Sequence, residues 1–109
     1  MHNYFHVFGR LVTDIEINET STGKSVGNLK LAVRREFKNF NGEYDTDFLK
    51  ISLWEGVATN ASQYVNKGDQ ILISGRIVTN KVELSEEKFM NVTELYGEKV
   101  TFISGQKQD

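Results

Sequence analysis

Phe48-Leu49-Lys50-Ile51-Ser52-Leu53-Trp54, followed by Glu55-Gly56 and then by Val57-Ala58-Thr59-Asn60-Ala61-Ser62-Gln63-Tyr64-Val65, decides how this chain is read. The first seven residues alternate with a period of two. In a strand, successive side chains point to opposite faces, so Leu49, Ile51 and Leu53 make a core face and Phe48, Lys50, Ser52 and Trp54 make the other. Gly56 ends that pattern. Beyond it Val57, Ala61, Tyr64 and Val65 recur at helical spacing, which is one apolar stripe of a short helix. Gly68, directly after Lys67, reads as its left-handed C-terminal cap.

Upstream, Tyr4 to Val12 is rich in aromatic and β-branched residues and reads as a strand that Ile15 and Ile17 extend. Glu19 to Ser25 is small and polar, a turn. From Val26 the alternation resumes, with Leu29, Leu31 and Val33 on one face and Asn28, Lys30, Ala32 and Arg34 on the other. Asn41-Gly42 marks a tight hairpin. Downstream, Gln70 to Thr79 is a strand interrupted at Gly75, and Asn91 to Ile103 supplies the last strand or pair of strands. Glycines 9, 75 and 97 inside strand-like runs predict bulges or tight bends. The order is three strands, one short helix, two more strands. That is an all-β chain with the arrangement of a five-stranded OB-fold barrel, its helix between strands three and four; another small barrel with one helix is the alternative. At 109 residues the chain suits one domain, expected over 1–104 with a short C-terminal end at 105–109.

Composition narrows the chemistry. Cysteine is absent, which removes disulfides, thiolate metal sites and cysteine nucleophiles together. The two histidines, His2 and His6, lack clustered partners and make a poor transition-metal site. No metal and no cofactor is expected. No apolar run approaches the roughly 20 residues of a membrane span, and Met1-His2-Asn3-Tyr4 does not open a signal peptide, so a cytoplasmic protein is expected. The net charge of −2 argues against a nucleic-acid partner. Its distribution argues less so: between Lys24 and Lys50 six basic residues stand against four acids, leaving that segment at +2 and the remainder at −4.

The outer row Phe48, Lys50, Ser52, Trp54 is an odd one to leave wet, because two large rings expose apolar area unless something covers them. Stacked nucleobases would do so, at about 1–3 kcal/mol per base whatever the base, with the lysine meeting a phosphate. A covering loop or a subunit interface would do so equally. Arg34, Arg35 and Lys38 surround Phe37 in a second basic and aromatic cluster. Phe37 has the parity of Leu29, Leu31 and Val33, so it is a core residue unless a bulge or a strand end frees it.

Taken together these residues resemble the bacterial single-stranded DNA-binding protein family over about Asn3 to Ile103. Asn3 with Val7-Phe8-Gly9-Arg10-Leu11 and Asp14-Ile15-Glu16 resembles its first strand. Thr22 to Asn28 and Leu31-Ala32-Val33 resemble its second, and Phe37-Lys38 with Asn41-Gly42-Glu43 its hairpin. Asp47 to Trp54 is similar to the third strand. Ala58, Tyr64, Lys67 and Gly68 are similar to the helix and its end, Ile73 to Ile77 with Thr79 to the fourth strand, and Val92-Thr93-Glu94 to the fifth. The resemblance implies an OB-fold that commonly forms a homotetramer and wraps single-stranded DNA in replication, recombination and repair. The stacking mechanism is the one known for the OB-folds of that same family, so it is carried over rather than derived. Three stacking aromatics fall on Phe37, Phe48 and Trp54. Phosphate contacts are expected from Arg34, Arg35, Lys50, Lys67, Arg76 and Lys81.

Departures matter too. Val82 stands where the family usually places another aromatic, and Glu83, Glu86 and Glu87 share that hairpin with Lys81 and Lys88. Tyr4, Phe40, Phe89 and Tyr96 are the rings available to compensate. The family's long tail with its acidic partner-binding tip has no counterpart in Gly105 to Asp109, which suggests a compact relative, of phage or mobile-element type, or a missing tail; replication and recombination proteins stay possible partners, but not on the strength of a tail motif. Two other classes remain. A primosome-type OB module would use the same face for protein. An OB-fold nuclease would hold a metal at Asp45, Asp47 or the Glu83–Glu87 cluster, but these read as solvated loop charges with no nucleophile–base pair beside them, so no catalytic residue is assigned.

Overall fold

A computed structural model describes residues 1–105. Among them are six strands and one helix: β1 Phe5–Leu11, β2 Glu16–Glu19, β3 Ser25–Lys38, β4 Tyr44–Trp54, α1 Gly56–Tyr64, β5 Gln70–Ser85 and β6 Lys88–Ser104. The sheet order is β1-β5-β6-β4-β3-β2, and β1 also pairs with β3. That extra pairing, Arg10 opposite Ala32 and Leu11 opposite Leu31, closes a five-stranded ring. The chain is an OB-fold barrel, with the helix between the third and fourth barrel strands. Only β4 and β6 run parallel, Ile51 to Leu53 against Leu95 to Gly97.

The expected first strand is two pieces. After Leu11 the backbone leaves the barrel ring, with the Val12 amide donating to the Lys30 carbonyl at 2.9 Å. β2 then lies along the outer stretch of β3, Glu16 opposite Asn28 through Glu19 opposite Ser25. Ile15, between the pieces, is buried, whereas Ile17 in β2 is exposed. Asn3, just ahead of β1, fastens the start of the chain to β5: its Nδ2 donates to the Ile77 carbonyl at 2.6 Å, and the Ile77 amide donates to its Oδ1 at 2.9 Å.

The core fills the barrel from the predicted faces. Leu29 and Leu31 of β3, Ile51 and Leu53 of β4, and Ile71 and Ile73 of β5 are buried, with Leu11 from β1. Burying each such side chain stabilises the fold by about 1.5–3 kcal/mol relative to leaving it in water. Val33 and Leu49 are half-buried, because they lie where the β3–β4 pair leaves the barrel. The helix plugs one end with Ala58, Ala61 and Val65, and the Tyr64 hydroxyl donates to the Val100 carbonyl at 2.8 Å.

Two local readings are corrected. Gly68 does adopt a left-handed backbone, φ 92°, but α1 already ends at Val65, whose amide donates to the Ala61 carbonyl. Gly68 instead turns the chain toward β5, its amide donating to the Leu11 carbonyl at 2.8 Å. Of glycines 9, 75 and 97, Gly75 and Gly97 face each other at a register shift: Ser74 pairs with Lys99 but Gly75 with Gly97, which leaves Glu98 unpaired on β6, while Gly9 lies at none. Gly9 sits in regular pairing, where the Ala32 carbonyl of β3 comes too close for a Cβ, and at Gly97 a Cβ would meet the core side chains of Leu53 and Ile73.

β5 and β6 run further than their predicted ends. Their ladder continues past the barrel to Ser85 and Lys88, making an arm whose residues 79–91 are all exposed. The strand system stops at Ser104. Of the short end expected at 105–109, only Gly105 lies among the described residues, and residues 106–109 lie outside them.

Candidate nucleic-acid interface

β4 presents its even-numbered side chains away from the core. Phe48 is 60% exposed, Lys50 is exposed, and Ser52 and Trp54 are half-buried. Cross-strand pairing widens this row into a surface: Ala32 lies beside Phe48, Lys30 beside Lys50, Asn28 beside Ser52 and Val26 beside Trp54. On the other side β6 places Tyr96 beside Ser52, and β5 places Arg76 beside Tyr96. One register line therefore crosses five strands through Glu16, Asn28, Ser52, Tyr96 and Arg76.

Tyr96, one of the four rings available to compensate for Val82, joins this surface. Its ring centroid lies 5.7 Å from that of Trp54, tilted by 48°, and the Arg76 guanidinium stands 5.8 Å above it. Aromatic pairs at such separations attract beyond their simple burial. With Lys24, Val57 and Glu98 these three residues line an open groove of about 640 Å³. Arg76 also approaches Glu98 at 3.9 Å, an exposed pair of small energetic worth. Tyr96 joins Trp54 only because β4 and β6 pair in parallel register, and no local pattern in either strand announces that.

The β3–β4 hairpin carries the second cluster. Arg34 pairs with Thr46 and Lys38 with Tyr44, so Arg35, Glu36 and Phe37 stand against Asp45 alone. This bulge frees Phe37 from the core parity it shares with Leu29 and Leu31, and it is 83% exposed. It lines a tip groove with Arg35, Lys38, Asn39, Phe40 and Asp45. The connection is not a two-residue Asn-Gly turn. The Asn39 side-chain oxygen accepts from the amides of Asn41 at 2.8 Å and Glu43 at 3.1 Å, and Gly42 takes the left-handed position at φ 77°.

Arg35 and Arg34 part company here. Arg35 Nε and Nη2 donate to the two Asp47 carboxylate oxygens at 3.1 and 2.9 Å, and Asp45 lies 3.9 Å away. The bidentate hydrogen bond to Arg35 holds the Asp47 carboxyl below its ordinary range, and the same contact raises the Arg35 guanidinium. Arg34 points to the Tyr44 side, its guanidinium 4.8 Å from the centre of that ring, with Lys38 Nζ at 5.8 Å.

The profile of the "Single-strand binding protein family" matches residues 2–103. This chain belongs to the single-strand binding protein family. It is 36% identical to single-stranded DNA-binding protein B of Bacillus subtilis, over all of this chain and 96% of that protein. It is 35% identical to single-stranded DNA-binding protein 3 of Listeria innocua, over 98% of this chain and 67% of that one. With single-stranded DNA-binding protein 1 of Lactococcus lactis the figures are 36%, 98% and 71%. The family is one of binding proteins rather than enzymes.

Within this member of the single-strand binding family, the remaining candidates are scattered. Lys67 is exposed in the turn after α1, where its amide donates to Asp14 Oδ1 at 2.7 Å; neither element contributes to the β4 row. Lys81 sits on the β5–β6 arm opposite Asn91, and strand alternation turns it to the face opposite Arg76. Val82, 41% exposed, lies opposite Met90 on the Arg76 face of that arm. The structure thus gathers Phe48, Lys50, Trp54, Arg34 and Arg76 on one surface, sets Phe37 and Arg35 at the hairpin tip, and leaves Lys67 and Lys81 apart. Among the described residues no cluster of three or more metal-ligating side chains occurs, and no helix is long and apolar enough to cross a membrane.

Proposed function

We propose that this chain binds and protects single-stranded DNA, without sequence preference, in replication, recombination and repair. The observation that carries this is the outer row on β4, exposed Phe48 and Lys50 with half-buried Trp54, joined by Tyr96 in a family of single-strand binders. Every base has a π-face, so rings on an open sheet accept any sequence, each stacked base contributing about 1–3 kcal/mol. Phe48, Trp54 and, at the hairpin tip, Phe37 are the proposed stacking residues. Lys50, Arg34 and Arg76 are the proposed phosphate contacts. Lys67 and Lys81 would serve strand running beyond that surface, and Arg35, expected from the sequence to meet a phosphate, is proposed instead to brace the hairpin through Asp47.

A cytoplasmic homotetramer is the proposed working form. Tyr4 at 55% and Phe8 at 48% exposure, near β1's paired face with β5, support a subunit contact there. Light scattering that returns a single-chain mass would remove the tetramer without touching the DNA reading.

The test of the DNA reading is quenching of Trp54, the sole tryptophan, by oligo-dT. Binding should weaken as salt rises, with a slope of about −0.7 per phosphate neutralised on a single strand. No quenching at low salt would defeat the proposal.

A further inference from the structure

We infer that Tyr44 is an additional base-stacking platform, with Arg34 and Lys38 as the phosphate contacts beside it, so that the nucleotide-binding face climbs the β3–β4 hairpin. The inference rests on the single-stranded DNA reading and names a ligand, one further nucleotide of the same strand.

Tyr44 has the parity of Phe48 and Trp54 on β4, so its ring emerges on their face. It lies four positions before Phe48, about 13 Å along a strand. It is 43% exposed, enough to offer a ring surface. Its neighbours supply the charge. Arg34 and Lys38 lie 4.8 and 5.8 Å from the ring centre, and among the described residues neither forms an ion pair. The contrast with Arg35 is what separates the two sides of the hairpin: the cation on the reverse side is taken up by Asp47, and the two on the Tyr44 side are left for a phosphate.

A stacking platform gains most when it is held in place before the base arrives, since ordering a loose side chain or loop is subtracted from the binding energy. This hairpin is held. The Arg35–Asp47 contact clasps its two strands, and Asn39 ties the turn and reaches Asp45 at 3.1 Å. Exposed Glu36 and Glu43 on the same hairpin oppose a phosphate and set a ceiling on the affinity gained. The platform also answers the loss on the β5–β6 arm, where Val82 offers no ring.

The experiment uses the full chain, reading Trp54 fluorescence with oligo-dT of about 4 and about 16 nucleotides, the range one OB-fold covers. Tyr44→Ala should weaken the longer oligomer by roughly 5- to 150-fold and leave the shorter one unchanged. Tyr44→Phe, which keeps the ring, should bind both as the unmodified chain does. Unchanged affinity of Tyr44→Ala for the longer oligomer overturns the inference. Equal weakening at both lengths with a lowered melting temperature also overturns it, because Tyr44 would then act through the fold. If the unmodified chain does not quench at all, it is the DNA reading that fails, and this inference with it.

Discussion

Arg35 grips Asp47 with two hydrogen bonds of 2.9 and 3.1 Å across the β3–β4 hairpin, on the side turned away from the aromatic row. A guanidinium so engaged already has a carboxylate partner, while Arg34, one residue earlier, faces an aromatic ring instead. Two adjacent arginines of the same sequence cluster therefore have different chemistry available to them.

That difference is measurable as a salt dependence. Arg34→Gln should make the plot of log affinity for oligo-dT against log salt shallower by about 0.7, the loss of one phosphate contact to a single strand. Arg35→Gln should leave the slope unchanged. Equal flattening by both changes would mean that Asp47 releases Arg35 when DNA arrives.

The same contact predicts a pH response. The Asp47 carboxyl is held below its ordinary value, so its contribution to hairpin order is fully present above the unfolded value of about 3.9 and is lost as pH falls through the lower folded value. Carboxyl NMR should show Asp47 titrating below about 3.9 in the unmodified chain and moving back toward that value in Arg35→Gln. A midpoint at or above it in the unmodified chain would contradict the geometry.

The β4 row should separate binding from folding. Phe48 is 60% exposed, so Phe48→Ala should weaken oligo-dT binding by about 1–3 kcal/mol with little change in melting temperature. Trp54 leans on Tyr96, so Trp54→Ala should weaken binding, followed by anisotropy of labelled oligo-dT, and lower the melting temperature as well. Loss of stability in Phe48→Ala with binding intact would move that ring from the surface role to a structural one.

Gly75 is the backbone position with least tolerance. A Cβ there would lie 1.9 Å from the Tyr96 carbonyl oxygen, so Gly75→Ala should destabilise the fold by about 3 kcal/mol or more, read from the urea midpoint. Gly56, at the start of α1, has open space around it, and Gly56→Ala should be neutral or stabilising by up to about 1 kcal/mol. Matching effects at the two sites would show that the close approach of β5 to β6 is relaxed in solution.

The alternation from Phe48 to Trp54 and the stripe from Val57 to Val65 were enough to place β4 and α1 in the right order, because period and polarity are properties of neighbouring residues. Family likeness over 2–103 rests on the same linear information. The split of the first strand after Leu11, the arm that carries β5 and β6 beyond the barrel, and the bulge that frees Phe37 were not legible. Each depends on which strand lies alongside and in what register, and a side chain carries no local mark of its partner on another strand. So it was with the site. Sequence alone determined that Phe48, Lys50 and Trp54 share a face. Tertiary structure decided that Tyr96 leans on Trp54 and that Asp47 claims Arg35 but not Arg34, because those contacts are made across strands, where distance in space replaces distance along the chain.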